Sequence, residues 1–352
     1  MPETLTREET PPTAQVVDNN RRNAFSRAAV QWLAAAVVVG AALVALHAVM
    51  DLRALLSALN EVYHTRVPFP IRRFVWTTKT VCSNPVTWIA LLAVFAAERI
   101  IPAKRQRVFS VGLAQDFAWF AADAALRLTL IPVYIGLLKM LYDGHLGFLT
   151  IHAVERWPMS ARVVMSLVAF DFLNWFHHLV RHYVELFWYF HMVHHSQRQM
   201  NLFTDARVHL VDFLIGNTLT FVPMFMLQLS TASVTWIALV TGWYARIYHA
   251  NLRTNYGVLK HVMVTPQSHR VHHSLDPRHR NKNFGVLLTV WDRMFGTLHA
   301  SYDEYPDTGI EDTRFPLERT VAGLGLVTNY VAQFVYPFRL VLDHLGARAR
   351  HA

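Results

Sequence analysis

Two short stretches of the sequence carry the same histidine pattern, H-x-x-H-H. Their histidines are His191, His194 and His195 in "HMVHH" and His269, His272 and His273 in "HRVHH". Imidazoles four positions apart project from one face of a helix, and a neutral imidazole offers a nitrogen lone pair that suits Fe, Zn, Cu or Ni. The repeated pattern therefore predicts metal binding by residues that the fold must bring together.

Further histidines enlarge the candidate set. His178 and His182 form H-x-x-x-H in "HLVRH", and His209 and His249 stand singly. The resulting ten candidates are too many for one tetrahedral ion, and two ions, each with several nitrogens and an open position, fit better. We therefore predict a two-metal site whose ligands come from His178, His182, His191, His194, His195, His209, His249, His269, His272 and His273.

Composition limits the class of protein that carries these histidines. The chain has 352 residues, of which 53% are hydrophobic and only 16% are charged, whereas soluble domains carry about 25% charged residues. The single cysteine, Cys82, excludes an internal disulfide framework, a cysteine-based zinc site and an iron–sulfur cluster. The net charge of +9 comes from dispersed basic residues, which argues against nucleic-acid binding.

Apolar runs predict the elements that position the histidines. Six candidate spans of roughly membrane-crossing length cover residues 28–49, 82–98, 117–141, 161–180, 211–228 and 233–250. The basic loop "RIIPAKRQR" (99–107) and the positive-inside rule place the N-terminus and both H-x-x-H-H stretches on the cytoplasmic side. The predicted fold is an all-α polytopic membrane helical bundle with a histidine-rich cytosolic metal-binding cap.

Local signals refine this prediction. His182 and His191 are half a helical rotation out of phase, so the chain must bend or restart between them, although 159–215 contains neither Gly nor Pro. Thr265 and Pro266 are typical of a helix start. Asp171, Asn251 and Asn283 are candidates to orient the metal-binding imidazoles through hydrogen bonds, with a purely structural role as the equal alternative.

The order of these motifs resembles the fatty acid hydroxylase/sterol desaturase superfamily of integral-membrane di-iron enzymes. The resemblance rests on "DFLNWFHHLVRH" (171–182), "WYFHMVHHS" (188–196), "MNLFTDARVH" (200–209), "VTPQSHRVHHS" (264–274) and "KNFGVLLTVWDRMFGT" (282–297). Leu210 and Asp212 stand where the family commonly has Pro and Glu. The resemblance covers roughly residues 110–300, which we expect to form the catalytic domain. Composition and the apolar runs predict a disordered cytosolic leader (1–27), N-terminal transmembrane spans (28–109) and a tail with a possible interfacial helix (301–352).

The resemblance also implies an activity and its cofactors. We expect two Fe ions, for which Zn can substitute in a structure, with O2 as oxidant and an external electron donor. The expected reaction is hydroxylation or desaturation of an unactivated C–H in a fatty acyl, sterol or isoprenoid chain, with no catalytic residues beyond the metal ligands. The alternatives are an ether-lipid-cleaving monooxygenase and a non-enzymatic membrane protein that binds or transports metal.

The implied partners are a lipid substrate in the membrane and an electron-transfer protein, either cytochrome b5-like or a ferredoxin/reductase system. A basic surface around Arg270, Arg278, Arg280 and Lys282 is a candidate docking site for an acidic electron carrier, with an ordinary solvated face as the alternative. The expected location is the membrane, with several spans and the active site on the cytoplasmic side.

Overall fold

Helices make up the regular structure of the part of the chain that the computed structural model describes, residues 84–228, 231–318 and 324–351. The predicted leader and first span (28–49) lie outside these residues. The helices are α1 (Pro85–Ile100), α2 (Val111–Leu141), α3 (Met159–Tyr183), α4 (Glu185–His195), α5 (Leu210–Met226), α6 (Thr231–His249), α7 (Pro266–His272), α8 (Val290–Met294) and α9 (Gly325–His351). The β-structure of the described residues consists of isolated bridges, so the predicted all-α class is confirmed.

Side-chain caps explain where several helices begin. The Asn84 carboxamide accepts a hydrogen bond from the Val86 amide at the start of α1, and the Ser110 hydroxyl accepts one from Leu113 in α2. At α7, Thr265 and Ser268 form a reciprocal capping box with Pro266 in the first turn, as the sequence predicts. These caps satisfy backbone N–H groups that have no partner within the helix.

The break between α3 and α4 falls at Val184, a single extended residue with φ −91° and ψ 107°. Its amide donates to the Val180 carbonyl, which closes α3, and its carbonyl accepts from Phe187 and Trp188, which starts α4. One extended residue thus re-aims the helix without Gly or Pro. This change of direction lets His182 and His191 approach one another despite their mismatched helical phase.

A hydrophobic core joins α2, α4 and α9. Trp119, Met192, Val193, Tyr336 and Leu340 are all buried in it. The indole N–H of Trp119 donates to the Gln333 side-chain oxygen at 2.9 Å, which satisfies the polar atom of an otherwise apolar ring. The C-terminal helix is therefore part of the support for the histidine-bearing helix α4.

A buried ion network reinforces the same junction. Arg207 is fully buried, and its guanidinium donates to Asp116 at 2.6 Å, to Glu318 at 3.0 Å and to the Ser196 hydroxyl at 3.0 Å. Since a buried cation is tolerated only when it is paired and hydrogen-bonded, these contacts fix α2, the end of α4 and the chain before α9 in one arrangement.

One helix in the described residues, α3, has the length and apolar composition needed to cross a membrane, and α5 is a shorter apolar helix. Helices also occupy the other predicted spans after residue 82, at α1, α2, α5 and α6. The predicted positions of these helices are therefore confirmed, whereas their passage through a bilayer belongs to the proposal below.

The segment 284–292 packs over the C-terminal half of α3 through two buried carboxylates. Asp292 accepts from the Phe284 and Gly285 amides, each at 2.8 Å, and from the Trp175 indole at 3.0 Å. Asp171 accepts from the Leu287 amide at 2.9 Å. These bonds hold the Phe284 carbonyl in place, which matters for the site described below.

Replacing Gly285 with alanine is expected to lower the free energy of unfolding by about 1–3 kcal/mol, the usual cost of overpacking. A Cβ at this position would lie 2.7 Å from the Leu288 carbonyl oxygen and 2.9 Å from Val264 Cγ2. Thermal unfolding of the purified protein measures the loss. The matched control is Gly144→Ala, where a Cβ meets no atom within 4 Å; equal losses in both variants would contradict the packing argument.

Candidate metal centre

Nine histidines gather into two groups. The first group holds His178 and His182 of α3, His191 and His195 of α4, and His272 of α7; the second holds His194, His249, His269 and His273. Within each group, one ligand atom of every member lies within 4.8 Å of those of the others. All nine side chains are buried except His182, which is half-buried.

Each H-x-x-H-H motif contributes to both groups. In α4, His191 and His195 face the first group and His194 faces the second, whereas His269 and His273 face the second group and His272 faces the first. Residues four apart share a helix face and the third residue points away from them. This crossed arrangement places the groups side by side, with the His195 and His273 rings stacked at 4.2 Å.

Backbone and carboxylate acceptors fix the outer nitrogens of the first group. His178 Nδ1 lies 2.9 Å from the Phe284 carbonyl, His272 Nδ1 lies 2.8 Å from the Lys282 carbonyl, and His191 Nδ1 lies 3.0 Å from Asp212 Oδ2. Because these acceptors require N–H donors, each Nδ1 carries the proton and each Nε2 carries a lone pair. The three Nε2 atoms are buried without a hydrogen-bond partner, as metal ligands require.

The second group brings nitrogens together in a way that hydrogen bonds alone do not satisfy. The Nε2 atoms of His194, His249, His269 and His273 form a chain of contacts at 3.1, 2.8 and 3.1 Å. A neutral ring nitrogen carries either one hydrogen or one lone pair, so the Nε2 atoms of His249 and His269, which each face two neighbouring nitrogens, cannot pair with both at once. Nitrogens that share a tetrahedral ion at about 2.1 Å lie roughly 3.4 Å apart, and a shared cation removes this conflict.

Burial keeps these imidazoles neutral. Desolvation, with smaller contributions from neighbouring charges, lowers the pKa well below its ordinary value for His191, His194, His195, His269 and His273. It lowers the pKa of His272 to about 3. The neutral form is the one that binds a metal, so the residues present fit a pair of ions with nitrogen ligands.

Comparison with known proteins agrees with this geometry. Residues 163–297, which include all nine grouped histidines, match the fatty acid hydroxylase family. Residues 163–297 form a fatty acid hydroxylase domain. The domain thereby belongs to a family of oxidoreductases, and the resemblance stated from the sequence is confirmed.

Curated relatives of the hydroxylase domain include proteins of two names. Ornithine lipid hydroxylase OlsE of Rhizobium tropici is 32% identical over 145 residues, which cover 41% of this chain and 44% of the relative. Alkylglycerol monooxygenase of Danio rerio is 31% identical over 133 residues (37% and 28%), and that of Homo sapiens is 28% identical over 157 residues (42% and 33%). The chain thus matches less than half the length of these relatives. No solved structure matches it.

Asp212 is a residue of the hydroxylase domain that the sequence analysis did not select. Its carboxylate lies 3.0 Å from His191 Nδ1 and accepts from Arg181 Nη1 with both oxygens, also at 3.0 Å. The carboxylate is fully buried. A buried carboxylate on the outer nitrogen of a ligand fixes the tautomer and raises its basicity. Asp212 therefore orients His191, and its position three residues after the candidate ligand His209 was the available signal.

The three polar residues proposed to orient imidazoles form hydrogen bonds with groups other than the clustered histidines. Asp171 accepts from the Leu287 amide and from the Trp291 indole at 2.9 Å. Asn251 bonds to both backbone groups of Lys104 and to Arg270, and Asn283 bonds to the Ser268 carbonyl and the His299 amide. The structural alternative therefore describes all three, and backbone carbonyls and Asp212 take the orienting role.

His209 lies outside both groups. Its Nδ1 accepts from the Val211 amide as the N-cap of α5, and its Nε2 lies 3.0 Å from the Phe334 carbonyl. Its ring stacks on Phe334 with centroids 4.4 Å apart. With both nitrogens engaged, His209 joins α5 to α9, so its expected place among the metal ligands is corrected by this geometry.

Replacing His209 with asparagine, itself a good N-cap residue, is expected to leave the metal content unchanged. Replacing it with alanine is expected to cost about 1 kcal/mol of stability, because the cap is lost, again without loss of metal. Metal analysis and thermal unfolding of both variants check this. Loss of one ion from the asparagine variant would return His209 to the ligand set.

A third group in the described residues, His279, His299 and Glu304, differs from the other two. The Glu304 oxygens lie 2.9 Å from His279 Nε2 and 3.3 Å from His299 Nε2, and His279 Nδ1 lies 2.9 Å from the Ser274 hydroxyl. Carboxylate acceptors satisfy these ring nitrogens directly. Hydrogen bonding within the protein therefore accounts for this group.

The basic residues suggested as a docking surface do not form one continuous patch. Arg270 is buried, and its guanidinium donates to the Pro306 carbonyl and to Asn251. Arg278 pairs with Asp276 at 2.6 Å and Arg280 pairs with Glu311 at 2.6 Å. Neighbouring carboxylates therefore offset much of the positive charge that the sequence places here.

A cavity of about 400 Å³ borders the first group, within the range of roughly 300–1,000 Å³ that ligand sites occupy. His182, His195 and His272 lie at one side, with Trp188, Met192 and Ile310 as apolar wall. Charged residues, among them Asp276, Arg280 and Glu311, line the rest. The second group contributes no lining residue, so the two groups differ in access.

Proposed function

We propose that this protein is a membrane-bound, di-iron, O2-dependent oxygenase that hydroxylates an unactivated C–H of a lipid. One observation carries the proposal: five and four buried imidazoles converge in two adjacent groups inside a fatty acid hydroxylase domain. Two bound iron ions supply redox chemistry that activates O2 when an external donor provides electrons. The ten-histidine ligand set expected from the sequence reduces to nine in this proposal.

The residues of the chain supply rigid positioning. Carbonyls of Phe284 and Lys282 and the Asp212 carboxylate hold three imidazoles of the first group in one tautomer and one orientation. These partners are fixed by further hydrogen bonds. Asp292 accepts from the Phe284 amide, and Arg181 donates to the Asp212 carboxylate. These partners would hold the imidazoles in the tautomer and orientation that a bound ion requires.

The cavity beside the first group supports binding of the lipid substrate at this group rather than at the second. Its apolar wall of Trp188, Met192 and Ile310 suits an alkyl segment, and its charged lining suits a polar head. A substrate carbon held there lies against His182, His195 and His272. Hydroxylation and desaturation require the same ligands and differ in how the substrate carbon is placed, so the product distinguishes them.

The relatives favour a second candidate reaction. Several curated relatives are named alkylglycerol monooxygenase, which supports hydroxylation next to an ether oxygen of a glycerol lipid. That reaction would release an aldehyde. The name of the ornithine lipid hydroxylase supports hydroxylation of an amino-acid-containing lipid with retention of the product.

The membrane arrangement is part of the proposal. The family and the candidate span α3 support an integral protein, and the apolar helices around it support several spans. The positive-inside pattern supports a cytoplasmic active site. An external electron-transfer protein, cytochrome b5-like or a ferredoxin/reductase pair, completes the reaction, since the sequence carries no haem, flavin or iron–sulfur signature.

Lipid analysis of a host that expresses the protein tests this function. Membranes with the wild-type chain are expected to contain a lipid heavier by one oxygen, and O2 uptake is expected to require an added electron donor. A product lighter by two hydrogens would indicate desaturation, and a released long-chain aldehyde would indicate ether cleavage. Tightly bound metal with no donor-dependent O2 uptake and no altered lipid would contradict the proposal and favour a metal-binding protein.

A further inference from the structure

Six large apolar side chains are exposed together on the part of the chain that carries the metal ligands. They come from residues 257–262 and from α8 with the residue after it, and we name them the cap patch: Val258, Leu259, Val262, Val290, Met294 and Phe295. Val258 is 81% exposed and Met294 is 66% exposed. A contiguous apolar surface of this kind marks an interaction site rather than ordinary exposed hydrophobic residues.

The two segments of the cap patch form one rigid surface. The Thr289 amide donates to the Val262 carbonyl at 2.9 Å, and Arg293 Nη2 donates to the His261 carbonyl at 3.1 Å. A β-bridge pairs Met263 with Leu288 directly beside them. The exposure of the cap patch is therefore built into the fold and does not come from a loose loop.

The cap patch is continuous with the candidate membrane span. Phe295 stacks on Trp175 of α3 with centroids 4.6 Å apart, and Trp291 packs edge-on against Phe172 at 5.0 Å. Phe176, one turn after Phe172, is exposed on the same helix. The apolar surface of α3 thus passes directly into the cap patch.

The charged residues around the cap patch favour its binding to an anionic lipid surface. Lys260 and Arg293 lie within the two segments, and Lys282 reaches the Gly296 carbonyl beside them. Asp292 is the one acidic residue of 257–262 and 290–296, and its carboxylate is buried against the Phe284 and Gly285 amides. Apolar side chains flanked by cations, with the local acid turned inward, are typical of surfaces that enter the lipid headgroup region.

From these contacts we infer that the cap patch docks into the headgroup–acyl boundary of the leaflet that α3 enters. Trp175, which Phe295 covers, precedes His178 by three residues, or roughly 4.5 Å of helical rise. Docking therefore fixes the depth of the first metal group relative to the lipid headgroups. This fixed depth selects which part of a bilayer lipid can reach the site.

The inference rests on the proposed membrane function. Single-cysteine labelling tests the docking of the cap patch and the membrane span α3 at different positions, so that the failure of one can be told from the failure of the other. Cys82, the only native cysteine, is replaced by serine, and a bimane fluorophore is attached at cysteines introduced one at a time. The positions are Val258 and Met294 in the cap patch, Val164 on the exposed face of α3, and Glu311 at the cavity. The full-length protein is placed in nanodiscs of phosphatidylcholine and phosphatidylglycerol, with nitroxide-labelled lipid or aqueous iodide as quencher.

Labels at Val258, Met294 and Val164 are expected to be quenched by lipid nitroxide and protected from iodide, and the label at Glu311 is expected to show the reverse. Iodide quenching at Val258 and Met294 with lipid quenching at Val164 would overturn the docking surface and leave the span intact. Protection from both quenchers would mean that protein covers the cap patch, which also overturns the inference. Iodide quenching at Val164 with lipid quenching at Val258 and Met294 would contradict the span and the proposed membrane arrangement, although the cap patch would still contact lipid.

A charge variant gives an independent check. With the label at Met294, Val258→Glu is expected to reduce lipid quenching and restore iodide quenching, because a carboxylate resists entry into an anionic boundary. Val258→Leu is the matched control and is expected to retain the wild-type pattern. Unchanged lipid quenching in the glutamate variant, with metal content equal to wild type, would argue against docking through this surface.

Discussion

Replacing His272 with alanine is expected to reduce the bound metal from two ions per chain to one and product formation to background. His272 Nε2 is buried without a partner, its Nδ1 is fixed by the Lys282 carbonyl, and its ring lines the cavity. The neighbouring His269 and His273 face the second group, so that group keeps its ligands. The variant therefore removes a ligand of the first group only, so its effect can be assigned to that group.

Elemental analysis of the purified variant, alongside lipid analysis of the host, measures both effects. The control is His344→Ala. His344 lies on α9, where its ring contacts the Tyr189 hydroxyl, and it belongs to neither histidine group. That variant is expected to keep two ions and full turnover. Two ions and wild-type turnover in the His272 variant would refute the assignment of the first group.

Replacing Asp212 with asparagine is expected to weaken metal affinity by roughly 10–100-fold, the usual effect of losing the partner of a ligating histidine. The Asp212 carboxylate accepts from Arg181 with both oxygens, and one of them also lies beside His191 Nδ1. The amide of an asparagine offers only one oxygen for these contacts. Arg181 also loses its buried counter-ion. Both changes loosen His191 and leave its Nε2 free to turn away from the first group.

Competition with a metal chelator measures this change, because the first group should release its ion at a lower chelator concentration. The matched control is Asp205→Asn, which removes a partly buried pair with Arg246 at 2.8 Å but breaks no hydrogen bond to a grouped histidine. Equal metal loss in both variants would mean that the effect is general destabilisation. Wild-type affinity in the Asp212 variant would show that the carboxylate does not orient His191.

The sequence carries much of the site because the ligands follow helical spacing. The two H-x-x-H-H motifs and H-x-x-x-H supply eight of the nine grouped histidines, and His249 was selected from its place at the end of a predicted helix. Periodicity also located the helices around them. The crossed use of each motif by two groups follows from the same spacing, although only the packing of α3, α4 and α7 assigns each residue to its group.

Long-range contacts explain what the sequence did not reveal. The orienting partners of His178 and His272 are backbone carbonyls at Phe284 and Lys282, and a carbonyl leaves no residue-type signal. His209 resembles a ligand by its motif but is held by Phe334, 125 positions away in the sequence. Val184 breaks the helix through its own backbone geometry, without the Gly or Pro that would have marked it.

Iron X-ray absorption on the purified, iron-loaded protein, combined with metal analysis, tests the central claim most directly. We expect two irons per chain in an inner shell of nitrogen and oxygen only, with the outer scattering that imidazole rings produce. A stoichiometry of one iron or fewer per chain in fully loaded protein, or sulfur in the inner shell, would contradict it.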